Sequence, residues 1–236
     1  MEKHTLSIVT GASRGIGKAI AIRLAKEGHT LMLFGRDHAA LEDVRKIVSS
    51  LGIESQMFIG DLTDKNFIDN SVNNIIDDYG KIDNLINNAG IGILNKFVES
   101  SIDEFKKQMD VNLFAVYNFT KAVVNNMIEH RGGTIINISS LAGKNSFVGG
   151  TMYSATKHAL MGFTRSLMLE LREYNIRVIA ICPGSVNTDF NPKREKVPNS
   201  GKILLAEDVA ETVAMAIKLP ISAMASEIDL RPTNPK

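Results

Sequence analysis

The sequence contains one cysteine and no tryptophan, and its net charge is close to zero. The cysteine count and the charge each exclude a class of protein. A single cysteine, Cys182, excludes an internal disulfide framework and fits a reducing compartment. It follows the apolar run 178–181, which predicts a buried and unreactive thiol. A net charge of +1 gives no electrostatic reason to expect nucleic acid or a membrane surface as a partner.

Long hydrophobic runs are also missing, since none approaches the roughly 20 residues that a membrane-spanning helix needs. The first residues enter a strand-like segment directly, without the apolar core of a secretory signal peptide. We therefore expect a cytoplasmic protein. A length of 236 residues with 44% hydrophobic residues suits a single domain, residues 1–236.

Short β-rich runs alternate with longer segments of helical period, a pattern typical of a parallel sheet covered by helices on both faces. Strands are predicted at 6–10, 30–34, 55–59, 84–86, 134–138, 177–181 and 227–230. Helices are predicted at 17–27, 39–51, 65–79, 102–129, 153–174 and 206–218. The fold class is therefore α/β, a single doubly wound parallel sheet of the Rossmann type with about seven strands, and a substrate loop is expected at about 185–205.

Tyr153 and Lys157 lie four residues apart, which places both side chains on one face of a predicted helix. An ammonium beside a phenol favours the phenolate, so we expect the pKa of Tyr153 to fall from its ordinary value of about 10. Such a phenol is a general acid/base for a carbonyl/alcohol pair. Ser140 follows the predicted strand 134–138, where its hydroxyl would reach the same substrate oxygen. Ser139 is the rival for this role, but the spacing to Tyr153 favours Ser140.

The Tyr-x-x-x-Lys spacing occurs a second time, at Tyr117 and Lys121. No strand ending in serine precedes this copy, and it lies within a long amphipathic segment. We interpret it as the surface of a helix.

The turn Thr10-Gly11-Ala12-Ser13-Arg14-Gly15-Ile16-Gly17 joins the first predicted strand to the first predicted helix. Gly11 permits a tight turn, Gly15 lets the backbone approach a pyrophosphate, and Gly17 allows close helix–strand contact. The helix N-terminus then offers N–H groups and a positive dipole end to phosphates. Any tight turn favours glycine, but the position after an N-terminal strand favours a nucleotide site.

The second predicted strand ends at Gly35 and Arg36, where an acidic residue would bind a free ribose 2′-hydroxyl and a basic residue favours a 2′-phosphate. Arg14 from the glycine turn reaches the same corner, and two guanidiniums suit a phosphate dianion. Asp37 opposes this interpretation if the strand ends later. We predict NADP(H) rather than NAD(H) as the cofactor.

Polar and small residues follow the later strands at the same edge of the predicted sheet. Asp61 is either an acceptor for an adenine amine or a turn former, and Asp64 suits a helix N-cap. Residues 87–90 either leave room for a flat ring or form a structural turn. Asn112 is unfavourable inside a helix unless its side chain or a local kink has a use. Residues 191–201 are either a surface loop or a substrate lid.

Together these residues resemble the short-chain dehydrogenase/reductase family, in order over nearly the whole chain. The motifs that carry the resemblance are Thr10-Gly11-x-x-x-Gly15-x-Gly17, Asn87-Asn88-Ala89-Gly90, Asn112, Ser140, Tyr153-x-x-x-Lys157 and Pro183-Gly184. The resemblance implies that Tyr153 donates or accepts the proton and that Ser140 orients the substrate carbonyl. It also implies that Lys157 binds the nicotinamide ribose and that Asn112 holds a water in a proton relay.

The resemblance further implies a set of cofactor-binding residues and no metal site. The set is Gly11, Ser13, Arg14, Gly15, Ile16, Gly17, Arg36, Asp61, Leu62, Asn88, Ala89, Gly90, Tyr153, Lys157, Pro183, Gly184, Val186 and Thr188. Thr188 would hydrogen-bond the nicotinamide carboxamide. The turn after Pro183 would close over the nicotinamide.

Within the family the chain most resembles 3-oxoacyl-carrier-protein reductases, while its tail resembles those of other short carbonyl reductases. Arg131 fits one of two basic positions that meet an acidic carrier protein, and Tyr174 occupies the other. The implied function is NADPH-dependent reduction of a carbonyl, in a 3-oxoacyl thioester or another small ketone or aldehyde, free or bound to a carrier protein. The alternative is an NADP(H)-binding sensor or scaffold without useful catalysis. Segments 102–129 and 153–174 would pair in a homodimer or homotetramer, or are ordinary core helices.

Overall fold

The computed structural model of the protein describes residues 5–190 and 202–234. Within these residues, one sheet of seven parallel strands has the order β3-β2-β1-β4-β5-β6-β7. The strands are β1 Leu6–Thr10, β2 Thr30–Gly35, β3 Ser55–Ile59, β4 Asn84–Asn87, β5 Gly133–Ile138, β6 Ile176–Pro183 and β7 Glu227–Leu230. The predicted doubly wound Rossmann-type sheet is confirmed, with every predicted strand found to within two residues of its expected ends.

Helices cover both faces of this sheet. They are α1 Gly15–Ala25, α2 His38–Ser50, α3 Lys65–Tyr79, α4 Ile102–Met109, α5 Ala115–Glu129, α6 Thr151–Leu171 and α7 Ala206–Lys218. Apolar side chains of α1, α2 and α7 form the core on one face, and those of α3 and α5 form it on the other. Such burial on both faces explains why β1 and β2 are buried along their whole length.

The prediction of one continuous helix over 102–129 is wrong in its middle. Residues Asp110–Phe114 form a π-helical turn between α4 and α5. Asn112 lies in this turn, and its carboxamide hydrogen-bonds the backbone of Ile91 outside the helix. The π-helical turn around this asparagine therefore has a tertiary contact to support it.

The predicted helix 153–174 also differs at its ends. It begins two residues earlier, at Thr151, and its last predicted turn is the 3₁₀ turn Arg172–Tyr174. Asn175 follows with a φ of 59°, a left-handed conformation that ends the helix.

Side-chain caps set where several helices begin. The Asp64 carboxylate accepts hydrogen bonds from the backbone N–H groups of Asn66 and Phe67, as its predicted N-cap role requires. Ser101 and Glu104 form a reciprocal capping box at the start of α4.

Two minor predictions from the sequence are also confirmed. Cys182 is fully buried, and burial raises its pKa to about 11, so its thiol is unreactive. Tyr117 and Lys121 lie on the exposed face of α5. Among the described helices, none is both long and apolar enough to cross a bilayer.

The order of the strands places a crevice at one edge of the sheet. The chain runs outward from β1 to β2 and β3, then returns to β4 on the other side of β1. At such a reversal the connections leave on opposite faces, and ligands bind outside the carboxyl ends of the strands.

Candidate active site

A cavity of about 1070 Å³ opens at the carboxyl ends of the strands. It brings together nearly all residues predicted from the sequence as site residues. Those that line it are Gly11, Ser13, Arg14, Gly15, Ile16, Arg36, Asp61, Leu62, Asn88, Ala89, Gly90, Ser140, Tyr153, Lys157, Pro183, Gly184, Val186 and Thr188. Gly17 and Asn112 do not line the cavity. Each instead contacts a segment that does, Gly17 the glycine turn and Asn112 the loop after β4. Residues 191–201, predicted as a surface loop or lid, lie outside the described residues.

The glycine turn forms one wall of the cavity and is shaped by close backbone contact. Gly11 and Gly15 have φ values of 66° and 53°, which favour glycine. A Cβ on Gly17 would lie only 2.2 Å from the carbonyl oxygen of Gly11, so no larger residue fits there. Asn88 Nδ2 holds the turn by donating to the carbonyl oxygen of Thr10 at 2.9 Å.

The start of α1 leaves backbone donors available beside this turn. Arg14 is the N-cap of α1, and its side chain makes no capping hydrogen bond. The first N–H groups of a helix have no partner within the helix, and they carry the positive end of its dipole. Together with the space that the glycines leave, they fit the pyrophosphate of a dinucleotide.

The corner beyond β2 is basic in character. Because β2 ends at Gly35, Arg36 is the first residue past the strand. The Asp37 carboxylate also lines the cavity, and one of its oxygens caps α2 by accepting from the backbone N–H of Ala40 at 3.1 Å. Arg14 and Arg36 both line the cavity here. The corner fits a ribose 2′-phosphate better than a free 2′-hydroxyl.

Asp61 is a turn former in this structure. Its carboxylate accepts hydrogen bonds from the backbone N–H and the hydroxyl of Thr63, at 3.0 and 2.9 Å. These bonds lower the pKa of Asp61, and Arg36 lowers it further. Because the side chain also lines the cavity, a contact with an adenine amine stays a prediction.

Tyr153 lies in the first turn of α6, with its side chain almost completely buried. Burial raises the pKa of Tyr153 to about 12, and a hydrogen bond with Ser140 acts in the opposite direction. Ser140 caps the 3₁₀ turn Leu141–Gly143, where its hydroxyl accepts from the backbone N–H of Ala142 at 3.1 Å. The Ser139 hydroxyl is buried and has no hydrogen-bond partner among the described residues. Ser140 is therefore the serine that contacts Tyr153.

Lys157 is buried one turn further along α6. The spacing suggested an ammonium directed at the Tyr153 phenol, but Lys157 makes a different contact. Nζ donates to the carbonyl oxygen of Ile138 at 3.0 Å and lies 5.9 Å from the centre of the Tyr153 ring. Burial lowers the pKa of Lys157 to about 8. The expected fall in the pKa of Tyr153 is wrong here, because loss of hydration outweighs the stabilisation of the phenolate.

Asn112 and Gln108 form hydrogen bonds to the backbone of the loop that follows β4, on one side of the cavity. Asn112 Oδ1 accepts from the backbone N–H of Ile91 at 2.8 Å, and Nδ2 donates to the Thr156 hydroxyl at 3.0 Å. One helical turn earlier, Gln108 Oε1 accepts from the backbone N–H of Ile93 at 3.0 Å. The two carboxamides thus fix the loop that follows β4, which lines the cavity.

Gln108 was not predicted from the sequence as a site residue. Its side chain is fully buried, and Nε2 has no hydrogen-bond partner among the described residues. Its position four residues before Asn112 placed two carboxamides on one helix face, a signal that was available in the sequence. Phe190 was also missed, and its ring centre lies 5.8 Å from that of Tyr153. No periodic pattern marks Phe190, because it lies in a loop.

Fold and site together define a Rossmann-type oxidoreductase, with a glycine turn that fits a dinucleotide and a cluster of buried Tyr153 and Lys157 with partly buried Ser140. Residues 5–198 match the short chain dehydrogenase family. The chain belongs to this family.

Relatives and solved structures are similar along almost the full chain. An uncharacterized oxidoreductase of Staphylococcus aureus strain MW2 is 33% identical over 227 residues, which cover 96% of both chains. Another, from Staphylococcus epidermidis, is 30% identical over 230 residues and 98% of both chains. A metagenomic short-chain oxidoreductase solved with NADP is 33% identical, with a TM-score of 0.85 and 97% of each chain covered. An alcohol dehydrogenase of Thermococcus sibiricus, solved with 5-hydroxy-NADP, is 28% identical, with a TM-score of 0.91 and coverage of 98% of this chain and 97% of its own.

Proposed function

We propose that the protein is an NADPH-dependent reductase that converts a carbonyl group to an alcohol. The substrate would be a 3-oxoacyl thioester or another small ketone or aldehyde, free or bound to a carrier protein. One observation carries the proposal: the phenol of Tyr153, beside Ser140 and Lys157, lines the same cavity as the glycine turn.

The choice of NADP(H) rests on the corner beyond β2. Arg14 and Arg36 would hold the 2′-phosphate, and the carboxylate that would compete for them is used to cap α2. The backbone at the start of α1 would hold the pyrophosphate, and Thr188 would hold the nicotinamide carboxamide. Two similar structures, of the metagenomic oxidoreductase and the Thermococcus sibiricus enzyme, contain NADP or a derivative of it, which supports the same choice.

The nicotinamide, when bound, supplies the hydride. The protein must then provide a proton for the substrate oxygen, which becomes an alkoxide. With a pKa raised to about 12, the Tyr153 hydroxyl is protonated at neutral pH. The raised pKa makes it a weaker acid, but an alkoxide is a strong enough base to take its proton. Ser140 would donate a hydrogen bond to the same oxygen and so orient the carbonyl toward Tyr153.

Lys157 and Asn112 would complete the proton path. After Tyr153 has donated its proton, a phenolate is left in a buried place, and the neighbouring ammonium of Lys157 would stabilise it. The same Nζ would hold the ribose hydroxyls. We assign Asn112 a water that returns a proton toward Lys157, because Asn112 Oδ1 and Lys157 Nζ both lie within 4 Å of a Cβ placed on Gly90.

We also propose a homodimer or homotetramer in the cytoplasm. Large apolar side chains are exposed on the outer faces of the segments that were expected to pair. They are Phe114, next to α5, with Tyr117 on α5 and Leu169 on α6. A second copy would remove this surface from water, which supports the assembly.

Oxidation of NADPH, followed with a panel of 3-oxoacyl thioesters, diketones and aldehydes, tests the function. We expect turnover of at least one class, and a loss of about 100-fold or more in Tyr153→Phe. Tyr117→Phe is the matched control, since Tyr117 has the same spacing to a lysine but lies outside the cavity. An unaffected rate in Tyr153→Phe would contradict the mechanism. Tight NADPH binding without turnover of any compound would favour the sensor or scaffold.

A further inference from the structure

Two neighbouring loops at the cavity carry large apolar side chains that face solvent. Phe97 and Val98 in the first loop are 73% and 87% exposed, and Val148 in the second is 90% exposed. The loops adjoin, because a Cβ on Gly149 would lie 3.9 Å from the carbonyl carbon of Asn95. We call the exposed surface formed by Phe97, Val98, Phe147 and Val148 the apolar rim.

The apolar rim continues the inner wall of the cavity. Phe147 is part of both, since it lines the cavity while its ring remains partly exposed. Leu94, at the start of the first loop, also lines the cavity. Beyond the predicted cofactor residues, the lining includes the large apolar side chains of Ile91, Leu94, Val111, Leu141, Phe147 and Phe190. Phe147 thus joins the apolar lining of the cavity to exposed apolar surface.

Large apolar side chains that are exposed on two adjoining loops beside a cavity indicate a surface that is covered in function. We propose that the apolar rim binds the hydrocarbon part of the substrate, so that the enzyme prefers carbonyl compounds with an extended apolar chain. This role rests on the proposed carbonyl reduction. The carbonyl would lie at Tyr153, and the chain would pass along Leu94 and Phe147 to Val148. The continuity of the rim with the cavity favours this occupant over a second copy of the protein.

A homologous series of straight-chain aldehydes, from about three to about ten carbons, tests this preference with NADPH. In the wild type, we expect kcat/KM to rise about two- to fourfold for each added methylene, as apolar surface is removed from water. Val148→Ser and Phe97→Ser should lower the ratio of kcat/KM between the longest and shortest aldehydes by about three- to tenfold. The matched control is Ile221→Ser, at an exposed isoleucine that does not line the cavity, and it should keep the wild-type ratio.

The possible results separate the role of the rim from the proposed function. Turnover of the short aldehydes with no rise along the series would overturn the role of the rim and leave carbonyl reduction intact. A rise that Val148→Ser and Phe97→Ser leave unchanged would also overturn it. If these two variants instead lower the oligomeric mass, measured by light scattering, and keep the ratio, the rim is an interface between copies. Absence of turnover throughout the aldehydes and the panel above would overturn both proposals.

Discussion

The ammonium of Lys157 lies 5.9 Å from the centre of the Tyr153 ring and is hydrogen-bonded to the carbonyl oxygen of Ile138 at 3.0 Å. The two groups are close enough to interact, but both are buried, and burial disfavours the charged form of each. The pKa of the phenol is therefore raised and that of the ammonium is lowered. Tyr153 is therefore protonated at neutral pH, which is the form that the proposed carbonyl reduction needs.

The buried ammonium has a consequence for stability that depends on pH. The pKa of Lys157 is about 8 in the folded protein against 10.5 for the ordinary side chain, so the unfolded chain binds more protons between these values. The free-energy cost of burying the charged ammonium is fully present below pH 8. The free energy of unfolding of the wild type therefore rises as pH increases from 8 to 10.5. We predict that the stability of Lys157→Met relative to the wild type falls by on the order of 3 kcal/mol over this window.

Urea unfolding at several pH values, followed by circular dichroism, measures this difference. Lys121→Met is the matched control, because Lys121 is exposed on α5 and its ammonium keeps its water on folding. The same trend in both variants, or a constant difference for Lys157→Met, would contradict the burial of a charged group at this position.

The basic corner predicts the cofactor preference. Arg36→Asp replaces a cation beside the proposed 2′-phosphate with an anion, so we expect the ratio of kcat/KM for NADPH to that for NADH to fall about 10- to 100-fold. Steady-state kinetics with both cofactors measure the ratio. Arg172→Asp makes the same change of charge on an exposed residue outside the cavity and should preserve it. An unchanged ratio in Arg36→Asp would remove Arg36 from the cofactor site.

We predict that substitution of Gln108 weakens substrate binding without lowering the rate of the chemical step. Gln108→Met keeps the length of the side chain but leaves the backbone N–H of Ile93 without its acceptor. The loop from Ile91 to Leu94 should then move more freely, and KM for the carbonyl compound should rise about three- to tenfold. We expect kcat and the Kd of NADPH to change less than about twofold, since Gln108 holds Ile93, which lies beyond the predicted cofactor residues 88–90 of this loop. Gln56→Met, in β3, is the control, and a fall in kcat alone would exclude the positioning role.

We predict that substitution of glycine by alanine has different effects in two helices. It should weaken NADPH binding at Gly17 and increase stability at Gly162. In Gly17→Ala the new methyl group would meet the carbonyl oxygen of Gly11, so the glycine turn must shift and NADPH binding should weaken at least about tenfold. In Gly162→Ala the methyl group meets nothing within 4 Å, and α6 should gain about 0.5–1 kcal/mol from helix propensity. Thermal unfolding and NADPH titration of both variants measure the contrast. Equal cofactor affinity in the two variants would show that the turn does not hold the pyrophosphate.

Much of the fold was predictable because its signals are local. The alternation of apolar runs with helical periods located every strand of the described residues, and Asp64 marked the start of α3 through its own side chain. The continuous helix over 102–129 was a wrong prediction, because period alone does not reveal that Asn112 bonds to Ile91 across the fold. A contact between residues distant in the chain decides where the π-helical turn forms.

In the candidate site, too, some features follow from the local sequence and others from the tertiary structure. The sequence by itself determined the sheet, the glycine turn and the set of tyrosine, serine and lysine, since these depend on residue type and spacing along neighbouring positions. The tertiary structure decided that Gln108 holds the loop and that an apolar rim adjoins the cavity, since both depend on contacts between residues distant in the chain. It also decided the pKa of Tyr153, because a pKa depends on how much water and charge surround the phenol once the chain is packed, and spacing in sequence does not measure either.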